Sequence, residues 1–241
     1  MDLAGKVALV TGGARRMGRS ISLGLARAGA DIVVHYNDSA HDAATAVDEI
    51  VALGRRAHAV RADLASMPDL QRLIQETDRV FGRLDVLVNS ASRFDRAPLP
   101  DIREADWDRV LDVNLKAPFF LTQAAIPMLR TARGVVINIG DLSALQPWPS
   151  YAHHAVSKAG LIHLTRVLAR ALAPEIRANS VIPGTVLPPP GYDQDPGDGG
   201  EGWLTSRRGS PDDVVDAVLY LVGAGFVTGE CLVVDGGRTL Y

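Results

Sequence analysis

The sequence has a single cysteine, Cys231, which excludes an internal disulfide framework and a cysteine-based metal cluster. No apolar run approaches the roughly 20 residues that a membrane-spanning helix needs, and no signal peptide is visible. Basic runs do not exceed pairs such as Arg207–Arg208, and the net charge is −3. These absences argue against membrane and nucleic-acid partners. We expect a cytoplasmic protein without a metal site that acts on a small molecule.

What the sequence does contain is a regular alternation of strand and helix patterns. The β-branched run KVALVTGG (6–13) indicates a buried strand, and apolar spacings of three and four predict a helix over 17–30. Further strands are predicted at 31–36, 57–63, 84–91, 134–140, 176–184 and 231–237. Further helices are predicted at 40–54, 68–81, 104–129 with a break near Pro118, 151–172 and 211–223. This rhythm predicts an α/β fold, with ligands at the carboxyl ends of parallel strands.

One segment, residues 183–211, interrupts the alternation. It is rich in proline and glycine, has no periodicity, and follows the sixth strand at the ligand-binding edge. Long segments of this kind are often functional. We interpret it as a substrate loop or lid within one domain that spans residues 1–241.

A glycine-containing turn, TGGARRMGRS (11–20), joins the first strand to the first helix. In this position, glycines allow backbone N–H groups and the helix N-terminus to approach a pyrophosphate. The turn therefore predicts a dinucleotide site.

The end of the second strand bears on the choice of cofactor. An acid in its last position would bind a ribose 2′-hydroxyl and favour NAD, but Tyr36 and Asn37 stand there. Asp38 acts in the other direction, since a carboxylate repels a 2′-phosphate. The nearby groups suited to a 2′-phosphate are Arg15, Arg16 and Ser39. We predict NADPH, with NADH the less favoured alternative.

Motifs along nearly the whole chain resemble the short-chain dehydrogenase/reductase family. They are TGGARRMG (11–18), RADL (61–64), VNSA (88–91), DVNLKAPF (112–119), GVVINIGD (134–141), VSKAGL (156–161), RANSVIPGTV (177–186) and FVTGECLVVDGG (226–237). The resemblance implies a doubly wound Rossmann fold with a seven-stranded parallel sheet flanked by helices, nicotinamide-dependent oxidoreduction and a homotetramer.

The resemblance also implies roles for particular residues. Asn114 would hold a helix bulge and a water of the proton relay. Together with the residues at the end of the second strand, the resemblance predicts the following cofactor-binding residues: Gly12, Arg15, Arg16, Met17, Gly18, Tyr36, Asn37, Ser39, Asp63, Leu64, Asn89, Ser90, Ala91, Ser92, Lys158, Pro183, Gly184 and Val186.

Within the family, the chain resembles the pteridine reductase and dihydromonapterin reductase branch, which has the pattern TGxxxRxG. In that branch the arginine reaches towards the cofactor and substrate, and a phenylalanine stacks on the pterin. The residues that carry this likeness are Arg16, Ser92, Phe94, Asp141, Tyr151 and LPPP (187–190). It implies substrate contacts by Arg16, Ser92, Phe94 and Tyr151.

The chain departs from the family at the YxxxK motif, because His154 stands four residues before Lys158. In one hypothesis His154 is the proton donor, beside Asp141, since imidazole titrates near ~6.5. In another, Tyr151, Asp141 or water delivers the proton. In the third, the chain binds nucleotide but has weakened catalysis. His153 is predicted to point away from Lys158 and to be exposed.

These residues lead to three functional hypotheses. The first is NADPH-dependent reduction of a C=N bond in a pterin, with Asp141, His154, Lys158 and Asn114 as the catalytic group. The alternative is a carbonyl reductase of the 3-oxoacyl type. A hypothesis of another class is an NADP-binding sensor or scaffold.

Overall fold

Seven parallel strands form one sheet in the computed structural model, which describes residues 2–187 and 203–240. The strands are β1 (Val7–Val10), β2 (Asp31–Tyr36), β3 (Ala57–Arg61), β4 (Val86–Asn89), β5 (Val135–Ile139), β6 (Arg177–Pro183) and β7 (Cys231–Val234). Their order across the sheet is β3-β2-β1-β4-β5-β6-β7. The predicted Rossmann fold is confirmed. Because the order reverses between β1 and β4, the carboxyl ends of these two strands border the switch point where ligands bind.

Helices cover both faces of this sheet. They are α1 (Arg16–Arg27), α2 (Ala40–Ala52), α3 (Met67–Phe81), α4 (Glu104–Leu111), α5 (Ala117–Ala132), α6 (Ala152–Leu172) and α7 (Pro211–Gly223). Short 3-10 turns lie at Leu99–Asp101, Leu142–Ala144, Pro149–Tyr151 and Arg238–Leu240. No helix in the described part of the chain is long and apolar enough to cross a membrane.

The alternation of side chains along β1 explains the two layers of helices. Ala8 and Val10 face a core shared with α1, α2 and α7. Val7 and Leu9 face the opposite core, shared with α3, α5 and α6. Because successive side chains of a strand point to opposite faces, a strand that is apolar at every position is buried on both sides.

Two sequence predictions about helices are wrong. The break between α4 and α5 is a π-helical stretch, Asp112–Lys116, rather than a kink near Pro118. There the N–H of Ala117 donates to the carbonyl of Asp112, whereas Pro118 lies in the first turn of α5, where proline is tolerated. The bulge itself was expected around Asn114.

The second wrong prediction is the exposure of His153, which is fully buried. The face of α6 that carries His153 also carries Ser157 one turn later. Ser157 contacts Asn114 of the π-helical stretch, and α6 packs against α4 and that stretch. This side of α6 is therefore covered by other elements. The prediction of exposure rested only on the position of His153 relative to Lys158 around the helix.

Candidate active site

A cavity of about 870 Å³ opens at the carboxyl ends of the strands. It runs from the end of β2 to the segment that follows β6. The predicted site residues that line it are Gly12, Arg15, Arg16, Met17, Gly18, Tyr36, Asn37, Ser39, Asp63, Leu64, Ser90, Ala91, Ser92, Phe94, Asp141, Tyr151, His154, Lys158, Pro183, Gly184 and Val186. Two predicted residues, Asn89 and Asn114, are buried beside the cavity and do not line it.

The glycine turn forms one end of the cavity. Gly12 has φ +64°, a conformation that favours glycine, and a Cβ there would lie 3.1 Å from Cα of Ala91. A Cβ on Gly18 would lie 2.1 Å from the Gly12 carbonyl oxygen, so only glycine allows α1 to pack so closely on the turn. The first N–H groups of a helix have no intrahelical partner and attract anions. The turn and α1 therefore fit the pyrophosphate of a dinucleotide.

Arg16 is the first residue of α1 and has φ +51°, although it is not glycine. A left-handed conformation at a non-glycine residue costs about 1–2 kcal/mol. Its guanidinium donates to the carbonyl of Leu187, 3.2 Å away, which places it beside the segment after β6. The side chain thus lies between the cofactor turn and the predicted substrate loop.

The residues after β2 line the adenosine end of the cavity. The Asn37 amide donates to the Asp38 carboxylate at 3.1 Å, and Asp38 itself lines the cavity. Arg15 lies 3.7 Å from Asp42 of α2 in an exposed ion pair. Opposite charges therefore flank the predicted position of a 2′-phosphate.

At the other end, Asn114 holds the loop after β4 in place. Its Oδ1 accepts the N–H of Arg93 at 2.7 Å, and its Nδ2 donates to the Arg93 carbonyl at 3.0 Å. The same Nδ2 also donates to the Ser157 hydroxyl at 3.0 Å. Asn114 thereby fixes a backbone carbonyl next to His154.

The tautomer of His154 follows from this arrangement. Its Nδ1 lies 2.9 Å from the Arg93 carbonyl oxygen, which can only accept. Nδ1 also lies 3.2 Å from Nδ2 of Asn114, but the two N–H groups of that amide donate to the Arg93 carbonyl and the Ser157 hydroxyl. We therefore assign the proton to Nδ1. Nε2 is buried, has no hydrogen-bond partner in the described residues, and lies 3.7 Å from Oδ1 of Asp141. A protonated Nε2 would face a carboxylate, whereas a neutral one presents a lone pair to it.

Asp141 and Lys158 supply opposite charges around that nitrogen. Burial acts to raise the pKa of Asp141, but contact with His154 and hydrogen bonds from Ser143 outweigh burial and lower the pKa. Burial lowers the pKa of Lys158 to about 8, although the charge of Asp141 acts in the opposite direction. The Lys158 ammonium donates to the carbonyl of Ile139 at 2.8 Å, which fixes its position.

Aromatic rings form the wall next to His154. Phe94 stacks on Tyr151 with centroids 4.3 Å apart, and it meets His154 edge-on at 4.7 Å. Trp148 packs edge-on against both Phe94 and Tyr151. The wall is largely aromatic, and Phe94 is itself partly exposed.

The sequence analysis missed several residues of the site. His35, Arg93, Trp148, Thr185 and Arg208 also line the cavity. Of these, only His35 could have been predicted from the sequence, since it lies one residue before Tyr36 at the end of the second strand. Part of the predicted lid, residues 188–202, lies outside the described residues. Within the described ranges, no three His, Cys, Asp or Glu side chains are grouped so as to hold a metal ion.

Both a family model and a known protein that are similar to this chain are described as reductases. Residues 12–239 match a family model described as enoyl-(acyl carrier protein) reductase. The 3-oxoacyl-[acyl-carrier-protein] reductase FabG of Staphylococcus aureus is 37% identical over 240 residues, which cover 96% of this chain and 97% of the relative.

Two solved structures are also similar. A dehydrogenase/reductase from Sinorhizobium meliloti 1021 is 40% identical with a TM-score of 0.92, over 98% of this chain and 96% of that chain. A blue fluorescent protein from a metagenomic library, in complex with NADPH, is 35% identical with a TM-score of 0.92, over 99% of each chain.

Proposed function

Since the chain belongs to the short-chain dehydrogenase/reductase family, we propose that it reduces a carbonyl group to an alcohol with NADPH. Membership of the family makes it a nicotinamide-dependent oxidoreductase. The likeness to a 3-oxoacyl reductase supports a carbonyl substrate over the pterin that the sequence favoured. The observation that carries the proposal is the buried Nε2 of His154, which faces Asp141 beside Lys158.

The residues of the cavity fit a nicotinamide dinucleotide. The turn at Gly12 and the start of α1 would hold the pyrophosphate, and Lys158 would hold the nicotinamide ribose. Residues 183–186 would lie against the nicotinamide. When bound, the reduced nicotinamide supplies the hydride.

His154 then supplies the proton. In its charged form, Nδ1–H donates to the Arg93 carbonyl and Nε2–H faces the Asp141 carboxylate. The Nε2 proton passes by way of the partly exposed Asp141 carboxylate to the substrate oxygen as that oxygen gains negative charge, and the imidazole becomes neutral with its Nδ1–H bond intact.

A second candidate, reduction of a C=N bond in a pterin, is favoured by the partly exposed ring of Phe94 in the aromatic wall and by Arg16. Stacking between aromatic planes is favourable, and a wall of this kind suits a planar heterocycle. In that reaction the His154 proton would go to the ring nitrogen instead of to oxygen.

The experiment compares the rates of reduction of several substrates by the same protein with the same cofactor. Purified protein is mixed with NADPH and, in separate reactions, a 3-oxoacyl ester or thioester, an aryl ketone and dihydrobiopterin, while NADPH absorbance is followed. Turnover of the carbonyl compounds supports the proposal, and turnover of dihydrobiopterin alone would support the second candidate. Tight NADPH binding without turnover on any compound would support a sensor or scaffold.

The same set of compounds, tested with variants of the protein, identifies the proton donor. If Tyr151 delivers the proton, His154→Phe retains the wild-type rate while Tyr151→Phe does not. If His154 is the donor, the order is reversed. If water delivers the proton, both variants retain the wild-type rate. A general acid contributes typically ~10²–10⁴-fold, so these outcomes are well separated.

A further inference from the structure

His35 ties together two walls of the cofactor end of the cavity. It lies in β2, is 2% exposed, and lines the cavity. Its Nδ1 lies 2.9 Å from the backbone nitrogen of Gly12, and its Nε2 lies 3.0 Å from the carbonyl oxygen of Ala62. Its own carbonyl accepts the N–H of Gly13 at 3.0 Å. One residue therefore satisfies two successive N–H groups of the glycine turn.

These partners fix the protonation of the ring. The Gly12 N–H can only donate, so Nδ1 must be an acceptor, and the proton of the neutral ring is on Nε2, from which it donates to Ala62. Burial lowers the pKa of His35 to about 4, against the Ala62 hydrogen bond and the charges of Asp63 and Asp69. The neutral form is therefore the one that these contacts require.

The two partners of the ring, Gly12 and Ala62, are each in contact with or next in sequence to residues that line the cavity. The Gly12 carbonyl lies under Gly18 of α1, so the position of Gly12 sets how close the start of α1 comes to the turn. Ala62 is followed by Asp63 and Leu64, which line the adenosine end. A shift of either contact would move a wall of the dinucleotide site.

We propose that His35 is a positioning residue for the cofactor: its neutral imidazole holds the Gly12 amide away from the ligand and joins the glycine turn to the end of β3. The inference rests on the proposed cofactor site. It assigns to His35 a role in NADPH affinity that does not require contact with the reacting atoms.

The test measures the NADPH dissociation constant by fluorescence titration, without substrate. In His35→Asn an amide oxygen can replace the Nδ1 acceptor, whereas in His35→Leu the Gly12 N–H is left without one. Without an acceptor for its N–H, the Gly12 turn is no longer held in the arrangement that receives the cofactor, so we expect an increase in Kd of about 10-fold or more for His35→Leu. For His35→Asn, which keeps the Gly12 acceptor but does not reach Ala62, we expect a smaller increase, of about threefold. If His35→Leu does not fold, His35→Gln, whose longer side chain displaces the acceptor, takes its place.

The matched control is Val34→Ala. Val34 is fully buried on the same strand and packs in the core without lining the cavity, so its truncation weakens β2 while the turn keeps its partner. Its Kd should stay within about twofold of wild type even though its midpoint of thermal unfolding falls.

A His35→Leu variant with the wild-type Kd would overturn the inference, and so would a His35→Asn variant that loses as much affinity as His35→Leu. If the wild type binds neither NADPH nor NADH, the proposed function itself fails. That failure is distinguishable from failure of the inference about His35, because it shows in the wild type and not in a variant. In steady state, the KM for NADPH should rise in His35→Leu while the KM for the carbonyl substrate does not. A role limited to folding would change neither KM.

Discussion

Nδ1 of His154 lies 2.9 Å from the carbonyl oxygen of Arg93, and this contact decides which ring nitrogen faces Asp141. Because a carbonyl cannot donate, Nδ1 keeps its proton in both charge states of the ring. Nε2 is then the nitrogen that gains and loses a proton. The Arg93 carbonyl is itself held by Asn114, so the orientation of the imidazole depends on a residue outside the cavity lining.

The first prediction concerns Asn114→Ala. Without the amide, the Arg93 N–H loses its acceptor and the Arg93 carbonyl keeps only His154 as a donor, so the acceptor that sets the His154 tautomer is no longer fixed. We expect kcat to fall about 10- to 100-fold, which corresponds to about 1–3 kcal/mol, while the Kd for NADPH stays within about threefold. Steady-state kinetics and NADPH titration measure the two effects.

Asn89→Ala is its matched control. The Asn89 amide is also buried and donates to Asn138 at 2.8 Å, but it contacts neither Arg93 nor His154. If both variants lower kcat equally, loss of a buried amide explains the effect and the positioning role of Asn114 is wrong.

The second prediction concerns the left-handed backbone at Arg16. Arg16→Gly removes both the guanidinium and the strain, whereas Arg16→Ala removes the guanidinium alone. We expect the glycine variant to unfold with a free energy about 1 kcal/mol higher than the alanine variant. Urea denaturation measures this difference, and equal stabilities would show that the position is not strained. The Kd for NADPH should rise equally in both.

The third prediction concerns the carboxylate at the adenosine end. Asp38→Asn removes a negative charge from the place where a 2′-phosphate would bind and keeps the side-chain size. We expect the Kd for NADPH to fall by about three- to tenfold at low salt, and the difference to shrink as salt screens the charges. The Kd for NADH is the internal control, since NADH has no 2′-phosphate. An NADPH affinity that does not change would place the phosphate elsewhere.

The fourth prediction concerns the stability of the protein in acid. Burial lowers the pKa of His35 to about 4, below the ~6.5 of an unfolded histidine. Between these values the unfolded chain binds a proton that the folded chain does not. The contribution of His35 is therefore complete above about pH 6.5 and is lost as the pH falls towards 4, by roughly 3 kcal/mol.

Urea unfolding at several pH values measures that loss. The slope of unfolding free energy against pH between 4.5 and 6.5 should be smaller in His35→Asn, because asparagine does not titrate. Equal slopes in the two proteins would mean that other groups account for the acid sensitivity.

The parts of this structure that the sequence predicted are those set by local pattern. The β-branched runs and the spacing of Ile21 and Leu25 predicted strands and helices whose bounds agree closely with those found. The resemblance to the pteridine reductases, which placed Asp141 beside His154, anticipated two side chains that lie 3.7 Å apart.

The features that the sequence did not predict depend on contacts between distant segments. The burial of His153 arises because α4 and the π-helical stretch cover α6. The bridge from His35 to Gly12 joins residues 23 positions apart. The tautomer of His154 depends on Arg93, which is 61 positions away. Spacing along one helix carries no information on such partners.

The central claim, that His154 donates the proton, is tested most directly by the pH dependence of carbonyl reduction in wild type, His154→Tyr and His154→Phe. If His154 is the acid, wild-type kcat/KM falls as the pH rises, because the reaction requires the charged imidazole. In His154→Tyr the descending limb moves to higher pH by more than about one unit, because a phenol releases its proton later than an imidazole. His154→Phe should lose about 10²-fold or more and show no such limb. A His154→Phe variant with the wild-type rate and pH profile would contradict the account.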